Sequence, residues 1–227
     1  MLNLPLYNQG DTRWRNVTIG QGVSGPLTIG SHGCLLSCEA MRLAAYGIIE
    51  TPDTLVSKAK LTGGVLDIEG NLAWAGMEKI FPTLAFLERK YTTNRQGSTA
   101  DGSLKVQPQA AIDRVKLLLS MGQPTPLEVM TSFGQHFVLA KLWNEGRKDF
   151  LLNDPNGGIE VWFKDRYGDL TTKLMGWIIS TGPTAWFPVN STPERQQMGL
   201  SLGYAQLAAR GKDTRANALR AAEALLR

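Results

Sequence analysis

The hydrophobic periodicity of this chain changes at Gly122-Gln123-Pro124, and that change constrains its fold class. Before it, apolar residues recur at helical spacing. Leu35, Leu36, Ala40, Leu43 and Ala44 make one stripe over residues 34–46, stopped by Gly47. Thr51-Pro52-Asp53 opens a second, short helix. Residues 71–81 read as a third, ended by Pro82. Residues 108–121 read as a fourth, with Ile112, Val115, Leu118 and Leu119 on its apolar face. After the change, residues 127–131, 136–143, 148–154, 159–164 and 177–180 read as strands joined by short turns. Helices first and an antiparallel sheet afterwards predict an α+β fold.

Three stretches lie outside this pattern. Residues 1–30, with Gly20, Gly22, Gly25 and Gly30, read as a loop-rich lead-in, and the polar residues 92–108 as a mobile loop or lid. From Asn190 the composition shifts to Ala, Leu, Arg and Gln at helical spacing, broken near Gly211-Lys212-Asp213. The expected organisation is one domain over 1–189 and a helical extension over 190–227, whose helices are a docking element for a partner. A chain of 227 residues that is 43% hydrophobic can build one such core. Its net charge of +4 favours an anionic surface such as a cell wall. The charge is too diffuse for nucleic acid, with no run of basic residues interleaved with aromatics. No apolar stretch reaches the roughly 20 residues that span a bilayer. The first ten residues lack the basic start and apolar stretch of a signal peptide. These features predict a product that is cytoplasmic at synthesis.

The candidate chemistry lies in Cys34, His136 and Asp154, in that chain order. A thiol needs a base to become a thiolate, and the base needs a third group to fix its tautomer. With only two histidines, the choice of base falls between His136 and His32, and His32 is two residues from Cys34. A helix that begins at Gly33 or Cys34 sets the sulfur over unpaired backbone amides at the positive end of the dipole, which favours a thiolate. The strands holding His136 and Asp154 flank Asn144-Glu145-Gly146-Arg147 and predict an antiparallel hairpin. A turn centred near Glu145 or Gly146 sets Asp154 opposite His136 or Val138, on the face of His136 in either case. A slip of one residue separates them. Asp154-Pro155-Asn156-Gly157 is a turn that fixes the carboxylate at the strand end. The Cys34 amide supplies one oxyanion donor, and Gln9 is the candidate for the second. Cys38, one turn beyond Cys34, reads as core filling.

These residues resemble the C39-like cysteine peptidases of the wider papain-like group. The resemblance rests on Gln9-Gly10-Asp11-Thr12-Arg13-Trp14, on Gly33-Cys34-Leu35-Leu36-Ser37 with Ala40-Met41, on His136-Phe137-Val138-Leu139, and on Asn153-Asp154-Pro155-Asn156-Gly157-Gly158. It covers residues 3–182. It implies a papain-like α+β fold with N-terminal helices packed on an antiparallel sheet. It implies Cys34 as nucleophile, His136 as general base, Asp154 as its orienter and Gln9 as the oxyanion glutamine. Family members often carry that glutamine only a few residues before the cysteine. Here 25 positions separate them, so residues 15–31 must loop out and return. The implied activity is hydrolysis of a peptide bond, in a substrate such as a peptidoglycan cross-bridge. A free-standing, mildly basic form is similar to phage-type lysins, virion-associated or released to the cell wall.

No metal or organic cofactor is implied. A zinc site from His32, Cys34, Cys38 and His136 would lack a C-x-x-C knuckle. Two alternatives share the scaffold: an acyltransferase or transpeptidase using the same triad, and a non-catalytic structural component of a particle.

Overall fold

The computed structural model describes residues 3–73, 76–82, 84–96 and 104–181. The expected helical extension over 190–227 lies outside the described residues, as does the middle of the predicted lid. The described residues form an α+β arrangement around a six-stranded sheet in which every neighbouring pair is antiparallel. The strands are β3 (Ala85–Tyr91), β4 (Thr125–Thr131), β5 (Gly134–Asn144), β6 (Asp149–Asp154), β7 (Ile159–Trp162) and β8 (Leu174–Thr181). Their order across the sheet is β3-β8-β4-β5-β6-β7. A separate two-stranded ribbon joins β1 (Thr18–Gly22) to β2 (Gly25–Thr28).

β5 is buried on both faces, and its alternation sorts two cores. Phe137 and Leu139 belong to a core with α2 (Cys34–Ala44) and α3 (Pro52–Thr62). Val138 and Ala140 belong to a second core with α5 (Pro108–Ser120), Phe150, Leu152 and Phe163. On α2 the side chains of Leu36, Met41 and Leu43 are at most 2% exposed. Each contributes about 1.5–3 kcal/mol by leaving water. Thr51 caps α3 through a reciprocal capping box with Thr54, and Pro52 takes the first helical position.

Several expectations are corrected. The loop-rich first thirty residues contain the β1–β2 ribbon and the one-turn helix α1 (Ile29–His32). The third helix is only α4 (Gly76–Ile80), because Leu72 pairs with Leu66 and the Ala73 amide donates to Val65. A strand precedes the fourth helix: β3, whose buried Arg89 is neutralised by Glu128 of β4. The strand expected over 159–164 stops at Trp162, and Phe163 opens α6 (Phe163–Tyr167), followed by α7 (Leu170–Lys173). Among the described residues, no helix is long and apolar enough to cross a membrane.

Candidate active site

Cys34 is the first residue of α2, where the amides of the opening turn have no intrahelical acceptor. Its place is set by Gly33. A Cβ there would lie 2.6 Å from the Ile29 carbonyl oxygen, so only glycine lets α1 run directly into α2. The thiol is half-buried, whereas Cys38 one turn on is fully buried and burial pushes its thiol well up.

His136 is the third residue of β5 and is reached from both layers of the molecule. Its Nε2 lies 2.9 Å from Asp154 Oδ1, and Cys34 is near enough to help raise the imidazole's pKa. An ionised carboxylate only accepts, so Nε2 carries the hydrogen and Nδ1 is the nitrogen left for the thiol. Burial by itself pushes the imidazole down. The hydrogen bonds to Asp154 and Cys34, with the charge on both, outweigh it and raise the pKa to about 9.

Asp154 ends β6 and is completely buried. Burial pushes its carboxyl up, but hydrogen bonds from His136 and Tyr167, the charge of His136 and the Asn156 amide hold it below the ordinary carboxylate value. Its oxygens are divided. Oδ1 accepts from His136 Nε2 and, at 2.8 Å, from the Asn156 amide, which closes the turn. Oδ2 accepts from the Tyr167 hydroxyl and lies 2.5 Å from Arg166 Nε. Arg166 also donates through Nη2 to the Asn156 carbonyl, 2.9 Å away. Arg166 and Tyr167 are not among the residues that the sequence pattern points to. They sit on a five-residue helix with no periodicity of its own, and the local signal was the polar-aromatic run Lys164-Asp165-Arg166-Tyr167 just beyond a strand.

Gln9 reaches the same place despite its 25-residue separation from Cys34. The intervening segment returns on itself: the Ile29 amide donates to Val17 and the Gly30 amide to Arg15, both at 2.9 Å. That closure sets the Gly30 carbonyl 3.0 Å from Gln9 Nε2, which donates to it. The Gln9 backbone amide donates to the Pro155 carbonyl at 2.9 Å, tying this segment to the turn after Asp154. One hydrogen of the Gln9 amide group is thereby used and a second remains.

Gln9, Cys34, His136, Asn156, Arg166 and Tyr167 all line one cleft of about 1810 Å³. Its volume exceeds the roughly 300–1,000 Å³ of a small-molecule pocket, and so suits part of a longer chain. Val23, Ile68 and Phe133, all largely exposed, stand on its walls. His32 lines the cleft too, but it is exposed and its Nδ1 is 2.9 Å from Ser31 Oγ. Of the two histidines, His136 is the one bonded to the buried carboxylate and coupled to Cys34. Compared with known proteins, the chain matches no family model, no curated protein and no solved structure.

Proposed function

We propose that this protein is a cysteine hydrolase of the papain-like, C39-like kind, cutting a peptide bond in a polymeric substrate such as a peptidoglycan cross-bridge. One observation carries the reading: a single imidazole hydrogen-bonds a buried carboxylate and is coupled to a half-buried thiol at a helix start, and both imidazole and thiol line one large cleft. The thiol proton passes to His136 Nδ1, and the sulfur adds to the substrate carbonyl carbon. The oxygen of that carbonyl gains the negative charge and is held by the Cys34 amide and the free hydrogen of the Gln9 amide group. Collapse breaks the C–N bond as the imidazolium returns its proton to the leaving amine, which leaves a thioester on Cys34. Water then adds to the thioester with His136 again accepting a proton, and the acid product and free thiol are released. Asp154 supports the imidazolium throughout by accepting from Nε2.

The test is incubation of purified cell wall and of a peptide library with the wild-type protein and with Cys34→Ala, read by mass spectrometry. New fragments differing by the addition of water, made only by the wild type, support the reading. Fragments formed equally by both proteins, or formed by neither, count against it.

A further inference from the structure

We infer that Arg166 and Tyr167 are positioning residues of this site: they lock the Asp154 carboxylate with one oxygen toward His136 and set how tightly the imidazole holds its proton. The inference rests on the hydrolase reading but concerns α6, to which that reading gives no part.

The geometry is that of a brace. β6 begins and ends in a buried aspartate, and both bind α6. Asp149 accepts from the Lys164 amide at 3.1 Å, holding the start of α6. Asp154 takes the Tyr167 hydroxyl and Arg166 at the other end. Phe163, the first residue of α6, is fully buried in the second core, and Arg147 pairs with Asp165 at 2.8 Å. α6 therefore cannot slide without breaking a bond at either end. Arg166 also grips the Asn156 carbonyl, so it fixes the turn as well as the carboxylate. The same turn receives the Gln9 amide at Pro155.

Bonds to Oδ1 alone restrain only one side of the carboxylate. The Tyr167 hydroxyl donating to Oδ2, with the Arg166 guanidinium beside it and donating to the Tyr167 oxygen at 3.3 Å, holds the other side. They also draw charge from Asp154, which weakens its pull on the imidazolium proton. The titratable and charged groups facing the His136–Asp154 pair are Cys34 and Cys38 from α2 and Arg166 and Tyr167 from α6. Among the described residues, His32, Asp67, Glu69, Tyr91, Arg95 and Lys173 also line the cleft.

With only two histidines in the chain, the ring signals of His136 are assigned by comparison with His136→Ala, and NMR titration reads its pKa directly. Removing one donor raises it: Tyr167→Phe moves the His136 midpoint up by roughly 0.5–1 pH unit. Arg166→Met moves it up as well, and Arg166→Lys returns it toward the wild-type value. The alkaline limb of Cys34 alkylation moves in step. In the double variant only the bonds on Oδ1 orient the carboxylate, and the alkylation rate at pH 7 falls at least about tenfold. Urea unfolding of each variant shows that it is folded. Midpoints within 0.2 unit of wild type in both single variants, with the double variant alkylated at the wild-type rate, overturn the inference. If wild-type Cys34 itself shows no dependence on His136, it is the hydrolase reading that fails.

Discussion

His136 and Asp154 share a face of the sheet because Lys141 is an extra residue in β5. Near the hairpin end the pairs are Asn144↔Asp149, Trp143↔Phe150 and Leu142↔Leu151. Continued without interruption, that ladder would set Asp154 opposite Leu139, whose side chain lies on the other face from His136. The register instead shifts between Ala140 and Leu142, so that Leu139 faces Asn153 and Asp154 falls opposite Val138, two residues from His136. A β-bulge of this kind re-aims side chains on one side of it only. Here it turns the carboxylate toward the imidazole while leaving the Trp143–Phe150 aromatic contact in place.

The proton on His136 gives the reaction an alkaline limit. With the pKa raised to about 9, Cys34-dependent activity holds across neutral pH and falls as pH rises through about 9. Because the folded value lies above the ordinary one near 6.5, the stabilisation linked to that proton is complete below about 6.5 and is lost as pH climbs toward 9. Urea midpoints measured from pH 6.5 to 9.5 fall more steeply for wild type than for His136→Ala. In Asp154→Asn burial acts without the opposing charge, so the alkaline limb moves down and the rate drops about 10²–10⁴-fold.

Gln9 is tested by its amide group. If Gln9 is the second oxyanion donor, as proposed, Gln9→Ala lowers kcat by about 10²–10³-fold, with KM little changed. Gln9→Glu keeps the shape and repels the developing charge, so it is no better. Steady-state kinetics on a cleaved peptide separates these variants from simple binding defects.

The turn after Asp154 makes a more distant prediction. Gly158 has φ +61°, and a Cβ there would lie 2.6 Å from Asn8 Cβ and 3.1 Å from Asn8 Cα. Gly158→Ala therefore pushes the residue next to Gln9 and strains the backbone, which costs about 1–2 kcal/mol of stability. Its kinetic defect resembles that of Gln9→Ala. Combining the two variants costs less activity than the sum of the single effects.

Within α2, Glu39 and Arg42 are each only about 1% exposed and form an ion pair along the helix beyond Cys34 and Cys38. Glu39→Ala leaves a buried guanidinium short of its carboxylate and destabilises the fold by about 3–5 kcal/mol, measured by urea unfolding.

Much of this arrangement is legible in the sequence wherever a local pattern carries it. The 3.6-residue stripe and Gly33-Cys34 place the helix start, and Gly47, at φ +74°, closes the segment. The alternating residues of β5 and β6, with the Asp154-Pro155 turn, indicate the hairpin; its turn, expected near Glu145 or Gly146, is centred between Gly146 and Arg147, and only the bulge brings Asp154 to the expected place opposite Val138. What the pattern does not contain is the bulge: Lys141 looks like any other residue of the strand, and its pairing with Glu160 of β7 is a contact between strands. β3 is hidden for the same reason, since Glu88-Arg89-Lys90 looks solvent-exposed until Glu128 arrives from another strand. The β1–β2 ribbon depends on distant backbone bonds such as Gln21 N–H to Ile68. α6 depends on Asp149 and Asp154, both on a strand that precedes it.

The most direct test of the account is alkylation of Cys34 near pH 6 by a mild reagent in limiting amount, followed by peptide mass mapping. Cys38 is fully buried and stays unlabelled in the folded protein. The account predicts rapid, stoichiometric modification of Cys34 that slows by at least about 10²-fold in His136→Ala. Labelling of Cys34 at the rate of an ordinary thiol, unchanged when His136 is replaced, would contradict it.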